Sequence, residues 1–283
     1  MLEPFEHALA EIHARGIAEH GDQWMHRVKA AYNTLVQSYQ QLTQKNRHPI
    51  DYTELPAEAA YIYAYAMPRA YFTLEMLRRH RAATGKALFG SGRIEIISFG
   101  GGPVSELVGL LEYLGDETNG ETVESISYRV FDKDGAWKDV ADLVLAATVS
   151  PIEVTMTYEQ LDLADGRACA AVDIRAADLI VFSYIMSELC ALEANDEIAQ
   201  NTRVILVPIK SGAAMLFIDS KQPEFIQYFQ RCRQFIGSQR NDDGEGVDLA
   251  LPELTPTFQA YRDALDREPR MDAAIVSKWL AKA

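Results

Sequence analysis

The stretch Arg93-Ile-Glu-Ile-Ile-Ser-Phe-Gly-Gly-Gly-Pro-Val-Ser-Glu-Leu107 decides the fold. Ile94, Ile96, Ile97 and Phe99 form an apolar run long enough for a buried strand and too short for a free-standing helix. Gly100, Gly101 and Gly102 follow. Val104, Leu107, Val108, Leu110, Leu111 and Leu114 then fall on one face at the helical period. Strand, glycine turn and helix together let a bound nucleotide approach bare backbone at a helix N-terminus. Side chains at the glycines would obstruct that approach, or could not take up the positive φ of a tight turn.

The turn does not follow the two common phosphate-binding registers. Val104 and Ser105 stand where the last glycine of G-x-G-x-x-G would fall, and no Gly-Lys-Ser/Thr follows, which argues against a P-loop. Downstream, residues 115–120 are a polar turn, and Ile126, Tyr128, Val130 and Phe131 make a second strand that ends at Asp132. A carboxylate at the tip of a second parallel strand can accept both ribose hydroxyls of a nucleoside, whereas the plain alternative is an aspartate turn. A helix is expected over residues 137–147, a third strand over 152–157 and a loop from Tyr158 to Asp162. Residues 178–183 form an apolar run suited to a strand buried on both faces. Its carboxyl end would line the ligand crevice of such a sheet, so Ser183, Tyr184, Ser187 and Glu188 are the substrate-side candidates. Residues 204–207 are rich in β-branched side chains but read as a helix end or loop. A fifth strand over 213–219, a helix over 224–236, a polar loop over 239–246 and a last strand over 273–280 complete the chain.

Upstream, residues 2–45 read as helices. Leu2, Phe5, Leu9 and Ile12 form one apolar stripe, and Trp24, Val28, Tyr32, Leu35, Val36, Tyr39 and Leu42 another, with Gly16 and Gly21 loosening the chain between them. His7, His13, His20 and His26 do not have the i, i+4 spacing of a helical metal pair. An aromatic helical run from Glu58 to Leu77 contains Pro68, which should kink or interrupt it. Tyr61 and Tyr65 share a face of that run. The division expected is a helical cap over residues 1–88 and a nucleotide-binding domain over residues 89–283.

With 48% hydrophobic and 24% charged residues, the chain has the composition of a globular protein with a sizeable core. No apolar run is long enough to span a membrane, and the acidic N-terminus lacks a signal core, so a cytoplasmic location is expected. Cys169, Cys190 and Cys232 are scattered and odd in number, which reads as reduced thiols. A net charge of −14 opposes phosphate backbones unless a local basic patch intervenes. The one such cluster, Arg78, Arg79, His80 and Arg81 with Lys86, ends a helix, where cations favour the C-terminus. An RNA-docking patch is the alternative reading of that cluster.

The segment Phe99-Gly-Gly-Gly-Pro-Val-Ser-Glu106 resembles the first motif of class I S-adenosylmethionine (SAM) dependent methyltransferases. Gly-Gly-Gly-Pro followed by the acidic Glu106 is similar to a subgroup that includes fungal rRNA uridine-N3 methyltransferases. Phe131-Asp132, followed by Lys133 to Trp137, resembles the second motif, and the likeness spans roughly residues 60 to 220. The resemblance implies an α/β, Rossmann-like sheet, mostly parallel with its last strand antiparallel, and SAM as cofactor. Cofactor contacts would fall to Gly100, Gly101, Gly102, Glu106, Asp132, Asp162, Ser183 and Tyr65, with Glu188 and Tyr184 as catalytic candidates and no metal. Ser98 departs from the family, which often has an acidic residue there, so the methionine amino group would be met by backbone or by Glu106. The function implied is methyl transfer to an O or N nucleophile of a small molecule. RNA as acceptor and a non-catalytic nucleotide-binding protein are the alternatives; a homodimer stays open, and the missing glycine register disfavours an oxidoreductase.

Overall fold

The computed structural model describes residues 1–41, 51–185, 189, 195–236 and 242–281. Strands β1 (Ser91–Phe99), β2 (Thr122–Asp132), β3 (Glu153–Gln160), β4 (Leu179–Ser183), β5 (Ala214–Ser220), β6 (Asp242–Asp248) and β7 (Asp272–Ala281) form a 7-stranded sheet in the order β3-β2-β1-β4-β5-β7-β6. β1 to β5 pair in parallel, so their carboxyl ends share one edge. β7 lies antiparallel between β5 and β6. The expected Rossmann-like sheet with an antiparallel last strand is therefore present. Strand order reverses between β1 and β4, and that switch opens a crevice at the carboxyl edge.

Alternation along the strands divides two cores. Ile94, Ile96, Val130, Val181 and Leu216 face one side, together with α5 (Ser105–Gly115) and α6 (Trp137–Ala146). The same core takes in the apolar stripes of α1 (Leu2–His20) and α2 (Trp24–Gln40), with α3 (Leu55–Tyr61) and α4 (Met67–Thr84). Phe5, Leu9, Ile12, Trp24 and Val28 are all buried in it, so the N-terminal helices share one continuous core with the sheet. Ile97, Phe99, Phe182 and Phe217 face the other side, against α7 (Gly166–Ala171), α8 (Asn195–Leu206) and α9 (Pro223–Ile236). α10 (Pro256–Leu265) returns to the first core through Phe258 and Tyr261.

Strand register places Phe131, Phe99, Phe182 and Phe217 side by side across β2, β1, β4 and β5. Their rings stack at centroid distances of 5.4, 5.1 and 4.9 Å. Such pairs each contribute about 0.5–1.5 kcal/mol beyond area burial. The ladder ends at the glycine turn and makes the floor of the crevice rigid.

Several expectations are corrected. Gly16 does not loosen the chain: α1 runs through it, and a Cβ there would lie in the indole ring of Trp24. Glycine is needed because Trp24 folds back onto α1. Residues 242–246, expected within a polar loop, belong to edge strand β6, with an irregularity between Glu245 and Val247. Acidic residues and glycines are what an edge strand tolerates, and they hide its sequence signal. Tyr158 to Gln160 extend β3 rather than opening the loop, because they pair with Val130, Phe131 and Asp132.

Pro68 does interrupt its helical run. A π-helical turn, Ile62–Ala66, precedes α4, and the carbonyl of Ala64, which a residue at 68 would normally satisfy, accepts instead from the Arg270 N–H at 3.0 Å. Residues 204–206 end α8, in keeping with the helix-end reading.

Candidate functional site

The glycine turn is held by backbone bonds and close contacts. Gly100, at φ 69°, donates to the Phe131 carbonyl at 2.7 Å, and a Cβ there would stand 2.8 Å from Ile185 Cδ1. A Cβ at Gly101 would lie 2.7 Å from Val130 Cγ1 and 3.0 Å from Ser98 Oγ. The turn thus sits directly on Ser98, which is buried, and an acidic side chain at 98 would need that space. Gly102, at φ 43°, is glycine for its conformation, since a Cβ there would meet nothing within 4 Å. Val104 takes the left-handed conformation (φ 55°, ψ 35°) as N-cap of α5 and donates to the Gly101 carbonyl at 2.8 Å.

Asp132 closes this turn from β2. Its Oδ2 accepts from the Gly102 N–H at 2.8 Å and its Oδ1 from the Asp134 N–H at 2.9 Å. One carboxylate therefore joins the glycine turn to the loop after β2 at the crevice wall.

The crevice holds about 910 Å³ of space outside the atoms, open solvent at its mouth included. Its floor is Phe99, Gly100, Gly102 and Phe131. Asp132, Lys133, Leu161, Asp162 and Leu163 line the β2–β3 end, with Lys133 and Asp162 paired at 3.2 Å. Ser183, Tyr184 and Ile185 line the β4 end. The roof comes from the N-terminal helices and the start of α6: Tyr39, Tyr52, Tyr61, Arg69 and Trp137. Tyr52 and Tyr61 pack on Trp137 at 5.2 and 5.0 Å between centroids, and the Tyr39 and Tyr52 hydroxyls are hydrogen-bonded at 3.2 Å. Arg69 donates to the Tyr61 hydroxyl and, at 3.1 Å, to the Tyr39 hydroxyl. Its guanidinium lies 4.0 Å from the centroid of the Tyr184 ring.

Of the residues singled out in the sequence, Gly100, Gly102, Asp132, Asp162, Ser183 and Tyr184 come together on the crevice wall. Gly101 faces down onto β1 and β2. Glu106 is buried and borders a small internal cavity with Thr73 and Tyr128. Burial raises its pKa, opposed by the neighbouring Ser183 hydroxyl and by Arg69. Tyr65 stands behind the roof, its ring on Tyr39 at 4.6 Å and its buried hydroxyl without a hydrogen-bond partner among the described residues. Ser187 and Glu188 lie outside the described residues. Tyr184 adopts φ 54°, and burial pushes its phenol upward, opposed by Arg69, so it keeps its proton at neutral pH.

Sequence reasoning missed Arg69, Tyr39, Tyr52 and Trp137 as lining residues. One signal was present, since Arg69 is the single cation in the aromatic run of residues 58–77. The basic cluster beyond it is engaged within the chain. Arg78 pairs with Asp116 at 3.2 Å, Arg79 with Glu75 at 2.8 Å, and Arg81 donates to the Asn119 carbonyl at 2.8 Å. Of the N-terminal histidines, His13 accepts the Trp24 indole N–H at 3.0 Å.

No family model matches this sequence, and no curated protein does. Solved structures do match. A Listeria monocytogenes protein provisionally described as a class I SAM-dependent methyltransferase aligns over 100% of this chain and 89% of its own, at 12% identity and a TM-score of 0.52. An O-methyltransferase family protein from Burkholderia thailandensis aligns over 93% of this chain and 74% of its own, at 10% identity and TM-score 0.49. The CurJ carbon methyltransferase aligns over 97% and 71%, at 12% identity and TM-score 0.49. At such identity the likeness concerns the fold, which is that of the class I methyltransferases. Among the described residues no helix is long and apolar enough to cross a membrane.

Proposed function

We propose that this chain is a SAM-dependent methyltransferase acting on a small-molecule O or N nucleophile. The observation that carries the reading is Asp132, a strand-tip carboxylate bound to the Gly102 N–H and facing the crevice beside the glycine turn. The residues present fit the cofactor. Asp132 would accept the ribose hydroxyls, while Leu161 and Leu163 offer an apolar seat for the base, bounded by Asp162 and Lys133. The methionine part would lie against Gly100 to Gly102, toward Ser183 and Tyr184.

When bound, SAM supplies an electrophilic methyl group. Such a transfer asks the protein chiefly to position the acceptor and exclude water. The aromatic roof suits both tasks: Tyr52, Tyr61 and Trp137 enclose the crevice with little loss of side-chain freedom. Tyr184, which keeps its proton, would orient an acceptor as a hydrogen-bond donor. Enclosure by the roof and the engagement of Arg78, Arg79 and Arg81 within the chain favour a small acceptor over RNA. Helices within residues 1–88 act in this reading as a cap that selects the acceptor.

Titration with S-adenosylhomocysteine, the demethylated product, tests the assignment. Asp132→Ala removes two charge-assisted hydrogen bonds to ribose, each worth about 1.5–3 kcal/mol, and is expected to weaken binding about tenfold or more. Asp132→Asn keeps an acceptor for the turn and separates ribose contact from turn integrity. Unchanged affinity in both variants would refute the role of Asp132.

A further inference from the structure

We propose that Arg69 and the tyrosines around it form a carboxylate-binding subsite at the β1–β4 end of the crevice. Arg69 is 8% exposed and makes no ion pair among the described residues. Burying a guanidinium without a counter-charge is costly, yet its hydrogen-bond partners here are neutral hydroxyls, Tyr61 Oη and Tyr39 Oη. Its Nε is buried with no hydrogen-bond partner among the described residues. Ring faces help to hold the charge, with Tyr184 and Tyr61 centroids at 4.0 and 5.0 Å. Rings accept no proton in a directed bond, so the unused N–H groups of the fork remain unmet.

The location gives the unmet donors a purpose. Arg69 lines the crevice, one residue beyond Pro68 at the start of α4. Asp132 and the Lys133–Asp162 ion pair occupy the other end, so carboxylate acceptors gather at β2–β3 while the Arg69 guanidinium stands at β1–β4. Glu106 is close enough for Arg69 to ease its ionisation, but it borders a separate internal cavity beneath the roof. A planar carboxylate matches the guanidinium fork, and it needs less room among crowded rings than a phosphate does.

Two molecules could bring that carboxylate: the amino-acid part of the cofactor, which rests on the methyltransferase reading, or an acidic acceptor. Calorimetry on the full-length wild type and on Arg69→Met separates them. The probes are S-adenosylhomocysteine, 5′-methylthioadenosine (which lacks the amino-acid carboxylate), and benzoate with and without S-adenosylhomocysteine. A loss of about tenfold or more for S-adenosylhomocysteine with methylthioadenosine unchanged is the result expected if the carboxylate is the cofactor's. Both unchanged, with benzoate binding present in the wild type and lost in the variant, assigns it to the acceptor. Equal losses for both adenosine compounds would make Arg69 a scaffold residue and overturn the proposal, as would no change for any probe. A wild type that binds neither adenosine compound removes the methyltransferase reading instead, and the subsite then stands or falls on benzoate. Should Arg69→Met fail to fold, Arg69→Lys keeps the charge and loses the fork. The same pattern of losses is expected there, and unaltered affinities would overturn the subsite.

Discussion

A carboxyl group at position 58 is held 6% exposed on α3, near the acidic residues Asp134 and Asp139. Burial, reinforced by those two charges and opposed by Arg15, raises it from 4.5 to about 7. Between these values the folded chain binds the proton more tightly than the unfolded chain, so stability falls as pH rises from about 4.5 to about 7 and this contribution is flat above. Glu58→Gln removes the cost of ionising the group. The variant should match the wild type at pH 4 and exceed it by about 3 kcal/mol at pH 8. Urea titrations at the two pH values measure this, and equal stability differences at both would show that Glu58 is not the cause. Asp132 illustrates the opposite use of a carboxylate, since two backbone N–H groups satisfy its oxygens and fix them at the crevice.

Helices α4 and α5 set the height of the roof over the sheet. Gly109 on α5 faces the Ala70 carbonyl of α4, into which a Cβ would press, and Thr73 Cβ would be 3.0 Å away. Overpacking of this kind typically costs about 1–3 kcal/mol, so Gly109→Ala should lower Tm by several degrees. Because α4 carries Arg69, the same variant should also weaken any ligand that reaches the roof; an unaltered Tm would contradict the close approach. At this scale much was legible in the sequence. Runs such as Ile94 to Phe99 and Leu179 to Phe182 are buried on both faces and announce themselves, and the amphipathic stripes of α1 and α2 do the same. β6 was hidden because an edge strand carries acidic residues and glycines, and the contact of Gly16 with Trp24 because it depends on tertiary packing. The crevice floor and Asp132 could be anticipated from strand ends. The roof could not, since no spacing rule brings Tyr39, Tyr52 and Arg69 together with Trp137.

The molecule as a whole joins two asymmetries. One face of the sheet carries the large core shared with the N-terminal helices, while the other carries the phenylalanine ladder and the later helices. The helices that thicken the first face also reach over the carboxyl edge, and there they turn an open crevice into a roofed one. A net charge of −14 surrounds a site whose roof holds a buried guanidinium, so an anionic group would be favoured inside and repelled outside. The central claim is that the roofed crevice holds the adenosine and methionine parts of SAM. Its most direct test is calorimetric titration of the intact chain with S-adenosylhomocysteine and, separately, with NAD. One molecule of S-adenosylhomocysteine is expected to bind per chain, with no measurable heat from NAD; absence of S-adenosylhomocysteine binding, or tighter binding of NAD, would contradict this reading.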